Sequence, residues 1–264
     1  MKTAIVAGQG MLPALVAEAL DAPLVYALEG FEPAIAAQPF RLERLVPLLD
    51  GMADEGVERV VFAGAVRRPR LDPEAFDPRT AMLVPRFLGA MQSGDDGALR
   101  ELISIFEDWG FEVAGVDAIR PDLVPGAGVL AGEPSDADRR DAVRAAEILA
   151  VTGALDIGQG CVVAQGLCLA LETLPGTEAM LDFAARHQGL RPDARGARGV
   201  LFKAPKADQD RRIDLPAIGP DTVAQAARAG LAGIAWPAGG VLLLDRRETI
   251  AAAEAAGLFL WARE

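Results

Sequence analysis

The first half of the chain alternates short apolar runs with segments in which apolar residues recur every three or four positions. Short apolar runs predict buried strands, and the longer spacing predicts amphipathic helices. The predicted elements follow one another as strand and helix at 3–7, 12–20, 24–28, 45–55, 57–63, 98–109 and 113–115. Because strands that alternate with helices form parallel sheets with crossover helices, this half is predicted to be Rossmann-like.

A stretch rich in Pro and Gly, RPDLVPGAGVLAGEPSD at 120–136, interrupts this alternation and lacks periodicity. Such a composition is typical of a linker between compact units. We therefore predict an N-terminal Rossmann-like domain at 1–125, a Pro/Gly-rich linker at 126–134 and a C-terminal α/β domain at 135–264. The 264 residues also exceed what one ordinary core usually takes.

The C-terminal domain is predicted to open with a helix, because Ser135 and Asp138 match an N-cap signal and apolar residues continue at helical spacing to 150. Further helices are predicted at 177–185, 221–229 and 246–256, and strands at 161–164, 167–171, 200–202, 233–236, 241–244 and 258–261. The PAGG segment at 237–240 separates two of these strands and predicts a hairpin turn.

Net charge and apolar run lengths narrow the class of protein. The formal net charge of -12 argues against a nucleic-acid partner, because phosphate backbones select basic surfaces. No apolar run reaches the roughly 18 residues of a membrane-spanning helix, and the start MKTAIVAGQGMLP lacks the features of a leader. We therefore expect a cytoplasmic protein.

One histidine and two cysteines limit the metals that the chain can bind. His187 falls at the predicted end of a helix, where interaction with the helix C-terminus explains it without chemistry. Cys161 and Cys168 lack metal-ligand spacing and are expected to be buried free thiols. Any catalytic metal is then expected to be a hard cation with oxygen ligands, Mg²⁺ or Mn²⁺.

The opening segment IVAGQGMLP places Gly8 and Gly10 between a parallel strand and a helix. Bare amides and a helix N-terminus at such a turn favour a phosphate, although a tight turn without a ligand explains the glycines equally well. Pro13 replaces the third glycine of the dinucleotide fingerprint, which weakens an NAD-binding interpretation. Glu29, at the end of the second strand, stands where a ribose-binding acid would.

The segment VFAGAVRRP places Arg67 and Arg68 just beyond the end of a buried strand. Ligands gather beyond the carboxyl ends of strands in open α/β sheets, so Arg67 is a candidate for binding phosphate oxygens. The alternative is a solvated loop.

The segment KAPKADQDRRIDLPAIG at 203–219 is the most informative for chemistry. Lys203, Lys206 and Arg211 crowd with acids around prolines, which is the chemistry needed to hold a pyrophosphate together with a cation. Asp214 lies between two apolar residues just before a proline, where an incidental surface charge is less expected. The alternative for Asp214 is a buried salt bridge to Arg211 or Lys203.

Two further segments supply candidates for binding substrate. LDIGQG places Gly158 and Gln159 next to an acid just before a strand. ETLPGTE places Glu172 at a strand end, as a ligand-binding group or a polar anchor, and Thr177 at a helix start, where an N-cap role is the alternative.

Taken in order, these segments resemble the LpxI-type UDP-2,3-diacylglucosamine pyrophosphatases of lipid A biosynthesis. The motifs that carry the resemblance are IVAGQGMLP, VFAGAVRRP, GDDGALR, LDIGQG, ETLPGTEAML, KAPK, RIDLPAIG and AARAGLAGIAW. They cover nearly the whole chain, and their combination is specific although each motif alone is weak. The resemblance implies two domains joined by a linker, with the lipid-linked nucleotide bound between them.

The resemblance implies a divalent-metal-dependent hydrolysis of UDP-2,3-diacylglucosamine to UMP and 2,3-diacylglucosamine 1-phosphate (lipid X), with water attacking the sugar-side phosphorus. The family's catalytic aspartate maps to Asp214, which would either hold Mg²⁺ or Mn²⁺ or orient the water. Lys203, Lys206, Arg211 or the metal would stabilise the charge that builds on the phosphoryl oxygens.

The implied substrate also predicts partners. A lipid-linked UDP-sugar predicts transient contact with the surface of the inner membrane, and a homodimer is the common default. Two other functions are compatible with the residues: an NAD-type oxidoreductase built on Gly8, Gly10 and Glu29, and a non-catalytic lipid-binding protein.

Overall fold

The structure of the chain is a computed structural model. It describes residues 1–66, 69–91, 95–207 and 209–264. Their contacts divide the chain into two compact units. The first unit comprises Met1–Pro121 together with Asp210–Asp214, and the second comprises Asp122–Gln209 together with Leu215–Glu264.

The first unit contains a five-stranded sheet in which every neighbouring pair is parallel. Its strands are β1 (Thr3–Ala7), β2 (Leu24–Leu28), β3 (Gln38–Phe40), β4 (Arg59–Ala63) and β5 (Glu112–Ala114). The strand order is β3-β2-β1-β4-β5. The chain therefore builds outward from β1 on one side and then crosses to β4 on the other, so β1 and β4 flank the topological switch point of the sheet.

Among the described residues, six helices accompany this sheet along the chain. They are α1 (Leu12–Ala17), α2 (Leu45–Asp54), α3 (Pro78–Ala81), α4 (Val84–Met91), α5 (Asp95–Asp108) and α6 (Val116–Ile119). Short 3-10 turns occur at Leu42–Arg44, Pro73–Ala75 and Pro121–Leu123.

The apolar pattern of the first half explains its core. The strands β1 and β4 are buried along nearly their whole length, as expected for parallel strands. The helix α2 buries Leu45, Leu49 and Met52 on one face. Phe106 of α5 meets Phe62 of β4 edge to face, with ring centroids 5.2 Å apart. Helix and strand spacing thus converge on one buried apolar cluster, which contains Ala4, Leu49, Val60 and Phe106.

The second unit contains a mixed six-stranded sheet and a separate two-stranded one. Its strands are β6 (Gly128–Ala131), β7 (Gly160–Ala164), β8 (Leu167–Leu171), β9 (Val200–Lys203), β10 (Ala217–Ile218), β11 (Gly233–Pro237), β12 (Leu242–Leu243) and β13 (Phe259–Arg263). The larger sheet has the order β6-β13-β11-β9-β7-β8. Its central strands β13, β11 and β9 run parallel, whereas β6 is antiparallel to β13 and β7 is antiparallel to both β9 and β8.

The helices of the second unit are α7 (Asp136–Gly153), α8 (Gly176–Arg186), α9 (Pro220–Arg228) and α10 (Arg246–Ala256), with a 3-10 turn at Gln188–Leu190. The predicted start of α7 is confirmed. Ser135 Oγ accepts a hydrogen bond from the Asp138 amide at 3.3 Å, and the Ser135 amide donates to Asp138 Oδ2 at 3.0 Å. This reciprocal pair satisfies two donors at the start of the helix.

The predicted fold class is confirmed: a parallel-sheet N-terminal unit is followed by a C-terminal α/β unit. The predicted hairpin at 237–240 is wrong. The Gly240 amide does donate to the Pro237 carbonyl at 2.9 Å, but β11 pairs with β9 and β13, whereas β12 pairs with β10. The turn therefore connects two different sheets.

Two smaller differences have clear physical reasons. Residues Gly128–Ala131, inside the predicted linker, form an edge strand on β13, because main-chain hydrogen bonds to a neighbouring strand need no apolar periodicity of their own. Cys161 is buried as expected, and burial raises the pKa of its thiol, but Cys168 is exposed. The domain limits at 125 and 135 stay a prediction.

Candidate active site

The first unit brings two glycine turns into backbone contact at the switch point of its sheet. The Gly8 amide donates to the Ala63 carbonyl at 2.7 Å, and the backbones of Gln9 and Ala65 form an antiparallel bridge. A Cβ atom on Gly8 would lie 2.6 Å from the Ala65 carbonyl oxygen. Gly64 has a φ of +97°, and its Cβ would lie 2.7 Å from the Gln9 carbonyl oxygen. Close packing of two turns therefore explains Gly8.

Gly10 differs from Gly8, because it has a φ of +91° and nothing within 4 Å of the position of a Cβ atom. It precedes α1, which has only six residues and no side-chain cap. The amides at this turn stay a predicted phosphate site. Arg67, which was predicted to act at the neighbouring strand end, lies outside the described residues.

Glu29, the acid of the NAD-type interpretation, follows β2 and is exposed. Its carboxylate pairs with the Arg41 guanidinium at 3.8 Å. Both side chains line a cleft of about 380 Å³ beside β2 and β3, which is also lined by Tyr26 and Arg44. Neither Gly8 nor Gly10 lines this cleft, so among the described residues the two halves of a dinucleotide fingerprint do not share one cavity.

The second unit gathers three of the predicted site residues at the carboxyl ends of its strands. Lys203 is the last residue of β9, Glu172 follows β8, and Thr177 is the second residue of α8. The Lys203 ammonium donates to Thr177 Oγ1 at 2.8 Å, and Thr177 Oγ1 donates to Glu172 Oε1 at 3.1 Å. Lys203 is 6% exposed, so its charge is almost entirely withdrawn from water.

The N-cap alternative for Thr177 is wrong. The helix α8 begins one residue earlier, at Gly176, its N-cap residue is Pro175, and no side chain caps it. Gly176, the first residue of the helix, has a φ of +87°, a conformation that glycine adopts without strain. The Thr177 hydroxyl therefore does not cap the helix. It links the Lys203 ammonium to the Glu172 carboxylate.

Glycines of the LDIGQG segment leave room for Glu172. A Cβ atom on Gly158 would lie 2.1 Å from the Glu172 carbonyl oxygen, and one on Gly160 would lie 2.5 Å from Glu172 Oε2. Gly158 also has a φ of +63°. The Glu172 amide donates to the Gly160 carbonyl at 2.8 Å. These glycines place the backbone and the carboxylate of Glu172 directly against the edge of β7.

Lys206 is held by partners that the sequence patterns did not indicate. Its ammonium forms a short ion pair with Asp156, and the two side chains are 16% and 26% exposed. Gln209 Oε1 accepts hydrogen bonds from the Lys206 amide and from Gln159 Nε2, each at 3.0 Å. Gln159 is thus a scaffold residue for the segment that carries Lys206.

Asp156 and Gln209 were missed by the sequence analysis. Asp156 belongs to the LDIGQG motif. Its left-handed φ of +58° distinguishes it in the structure, but this backbone angle is not visible in the sequence. Gln209 is a buried polar side chain in a segment selected for its charges, so no pattern of residue types distinguished it.

Asp214 and Arg211 group by their contacts with the first unit, whereas Lys203, Lys206 and Glu172 belong to the second. Asp214 is half-buried and Arg211 is exposed. The Asp214 amide contacts the Asp210 carbonyl at 3.4 Å. The role of Asp214 therefore stays a prediction.

The turn before Asp214 is anchored by an ion-pair network. Arg212 donates to Asp210 Oδ2 at 2.7 Å and to Glu107 Oε1 at 2.6 Å. The hydrogen bond from Arg212 lowers the pKa of Asp210. The pKa of Arg212 is raised, mainly by its hydrogen bond to Asp210 and next by its hydrogen bond to Glu107. Ile213 packs against the core of the first unit. This turn therefore has a defined anchor on the first unit.

The described residues contain no preassembled metal cage, because no group of three or more His, Cys, Asp or Glu side chains within 1–66, 69–91, 95–207 and 209–264 could hold an ion. His187 ends α8, and its Nδ1 lies 2.7 Å from the Phe183 carbonyl, as its predicted structural role requires. A cation held by one carboxylate together with substrate phosphates fits this donor set, since Mg²⁺ often binds in that way.

No helix within the described part of the chain combines the length and the apolar character needed to cross a bilayer.

The described residues form a two-unit α/β protein in which Lys203 and Glu172 lie at strand ends of the second unit. Family models narrow this class: the LpxI N-terminal domain matches residues 2–123, and the LpxI C-terminal domain matches residues 126–261. A curated relative, "UDP-2,3-diacylglucosamine pyrophosphatase LpxI" of Caulobacter vibrioides, is 37% identical over 269 residues. The alignment covers 98% of this chain and 96% of the relative. The chain therefore belongs to the LpxI family, and the predicted family and enzyme class, a hydrolase, are confirmed.

Proposed function

We propose that the chain hydrolyses the diphosphate of UDP-2,3-diacylglucosamine to UMP and 2,3-diacylglucosamine 1-phosphate, a step of lipid A biosynthesis. The observation that carries this proposal is the nearly full-length similarity to the Caulobacter vibrioides pyrophosphatase. In the proposed reaction, the oxygen of one water molecule adds to the sugar-side phosphorus. The bond from that phosphorus to the bridging oxygen breaks, and UMP leaves with the bridging oxygen.

Lys203 is the residue of the second unit best suited to stabilise this reaction. Negative charge builds on phosphoryl oxygens in the transition state, and a preorganised cation in a site withdrawn from water stabilises it strongly. Lys203 is buried at the end of β9 and is oriented by the Thr177 hydroxyl at 2.8 Å. We assign it to the phosphoryl oxygens.

Lys206 provides a second positive charge in the same segment. Its ion pair with Asp156 and the contacts of Gln209 fix the path of the backbone from β9 onward. A lysine that is already ordered loses less side-chain entropy when it binds a ligand. We assign Lys206 to substrate phosphate, with Gly158 and Gln159 shaping the turn beside it.

Asp214 is the proposed carboxylate of the reaction, and this assignment rests on the motif that it shares with the family. It either holds Mg²⁺ or Mn²⁺ or orients the attacking water. When bound, such a cation neutralises phosphate oxygens and acts as a Lewis acid.

We extend the proposal to peripheral contact with the membrane that holds the lipid substrate. Large apolar side chains are exposed on the loop that follows Glu172 and on the LDIGQG segment: Leu174 is 96% exposed, and the exposed Leu155 and Ile157 flank Asp156. Exposed apolar side chains near a lipid-binding site often mark membrane contact. Sedimentation with phospholipid vesicles checks this point, with Leu174→Ser expected to reduce the bound fraction.

A direct assay tests the function. The purified protein is incubated with UDP-2,3-diacylglucosamine and Mg²⁺ or Mn²⁺, with and without a chelator, and the released nucleotide is identified. We expect UMP in the metal-containing reaction and little in the chelated one. Tight lipid binding without UMP release would indicate a lipid-binding protein. Equal UMP release with and without the chelator would refute the metal requirement and leave the hydrolase function in place.

Two further measurements accompany this assay. Thermal stabilisation by UMP but not by NADH is expected, because a ligand stabilises a protein only through its affinity for the folded state. Sedimentation velocity of the full chain tests the predicted homodimer.

A further inference from the structure

Three side chains of the second unit form one continuous hydrogen-bonded chain from a lysine to a carboxylate. The Lys203 ammonium lies 2.8 Å from Thr177 Oγ1, which lies 3.1 Å from Glu172 Oε1. The three residues come from the end of β9, the start of α8 and the loop after β8. Separate elements of the fold therefore converge on one hydroxyl group.

The chemistry of these groups fixes the direction of both hydrogen bonds. An ammonium can only donate, so the Thr177 oxygen accepts from Lys203. An ionised carboxylate can only accept, so the single hydroxyl proton of Thr177 points to Glu172. Because the proton is committed to Glu172, the lone pairs of Thr177 face the ammonium in a fixed direction.

The other oxygen of the carboxylate shows that this arrangement is not a solvated surface contact. Glu172 Oε2 is buried and has no hydrogen-bond partner among the described residues. It lies against Gly160, where a Cβ atom would come within 2.5 Å of it. Leaving a buried acceptor unsatisfied costs free energy, and such groups in native structures often serve a function.

We propose that Thr177 and Glu172 are positioning residues that orient the Lys203 ammonium for phosphoryl transfer. Glu172 sets the rotation of the Thr177 hydroxyl, and the hydroxyl sets the direction of the ammonium at the end of β9. Lys203 already donates to the Ala217 carbonyl at 3.4 Å, and loss of the hydroxyl would let the ammonium turn further toward that acceptor. This inference rests on the proposed function, in which Lys203 stabilises the charge on the substrate.

The variant Thr177→Val tests the role of the hydroxyl, since valine keeps the branched shape and removes the hydrogen bonds. We expect kcat for UMP release to fall about 10- to 100-fold, because displacing a catalytic group by about 1 Å has effects of this size. KM is expected to change little, since the lost interaction strengthens in the transition state. Thr177→Ser restores the hydroxyl and is expected to recover most of kcat.

The control is Thr152→Val in the same unit, because the Thr152 hydroxyl donates to the Ile148 carbonyl of its own helix at 3.2 Å. Its kcat is expected to equal that of the wild type. A loss in Thr152→Val equal to that in Thr177→Val would overturn the proposal, since it would show a general effect of removing hydroxyl groups from this unit.

A double-mutant cycle distinguishes positioning from a structural role. In a Lys203→Met background, Thr177→Val is expected to have almost no further effect on kcat, because its target is gone. Full additivity of the two losses would overturn the proposal. If Thr177→Val loses the fold by circular dichroism, Glu172→Gln replaces it in the same cycle, with at least about a 10-fold loss expected only when Lys203 is present.

The two proposals fail separately. No UMP release by the wild type would overturn the proposed function. Equal kcat in the wild type, Thr177→Val and Glu172→Gln, with UMP released by all three, would overturn the positioning role and leave the function in place.

Discussion

The two units of this protein complete the same kind of sheet edge with different chemistry. In the first unit, the turns after β1 and β4 meet backbone to backbone through Gly8 and Gly64. In the second unit, the ends of β8 and β9 meet through the side chains of Glu172 and Lys203, joined by Thr177. A glycine pattern at a strand end can thus be explained by packing alone, whereas a buried lysine there needs hydrogen-bond acceptors or an opposite charge.

Removing the charge of Lys203 is expected to have the largest effect on turnover. Lys203→Met removes the buried charge at similar side-chain volume, and we expect kcat for UMP release to fall about 100- to 1000-fold. Lys2→Met is the matched control, because Lys2 is a surface lysine of the first unit that pairs with Glu55 at 3.7 Å. Steady-state kinetics with both variants checks the difference. Comparable losses in the two would contradict the assignment.

Asp214 tests whether the first unit also contributes to the reaction, because its contacts group it with that unit. We expect Asp214→Ala to keep the fold and to lose about 100-fold or more of kcat, since it removes a carboxylate proposed to act in the reaction. Asp54→Ala, which removes an exposed carboxylate at the end of α2, is the control. Near-normal turnover of Asp214→Ala would exclude Asp214 from the mechanism and would leave the second unit with all the assigned chemistry.

An intermediate effect tests the packing role of the first unit's glycines. Gly8→Ala places a Cβ atom 2.6 Å from the Ala65 carbonyl oxygen, so we expect a loss of about 1–3 kcal/mol in the free energy of unfolding. Gly51→Ala is the control, because Gly51 lies in α2 with open space at its Cβ position. That variant is expected to be neutral or slightly stabilising. Urea unfolding curves that overlap for the two variants would show that the backbone contact is not tight.

The smallest effect concerns the turn that precedes Asp214. The hydrogen bond from Arg212 lowers the pKa of Asp210 in the folded protein, so its stabilising contribution is present at neutral pH and is lost as the pH falls through that lowered pKa. Because Arg212 is 40% exposed, we expect Asp210→Asn to cost less than about 1 kcal/mol near pH 7. The difference in stability from the wild type should shrink below about pH 4, the ordinary carboxyl range. A difference that grows on acidification would contradict this assignment.

The fold could be predicted where one face of an element is apolar. The strands β1, β2 and β4 and the start of α7 at Ser135 follow from periodicity and capping alone. The strand β3, Gln38–Phe40, could not be predicted, because its three residues are mostly exposed and include a proline. The pairing of β12 with β10 could not be predicted either, because the turn residues at 237–240 do not determine which strand β12 pairs with.

The candidate site could be predicted residue by residue but not as an arrangement. Glu172 stood out at a strand end, Thr177 at a helix start and Lys203 as part of a basic segment. Their connection depends on strand order, because β8 and β9 are brought together by β7, which pairs with both. Asp156 was overlooked as the partner of Lys206 because fifty positions of sequence separate them.

The grouping of Asp210–Asp214 with the first unit affects how this protein can evolve. The chain passes between the units three times, after Pro121, after Gln209 and after Asp214. Recombination between two relatives at a single crossover near Pro121 would pair this short insert with a foreign N-terminal half. A functional hybrid would therefore need the insert and its anchors, such as Glu107, to come from the same parent. An N-terminal half is therefore expected to be exchangeable only together with a matching 210–214 segment.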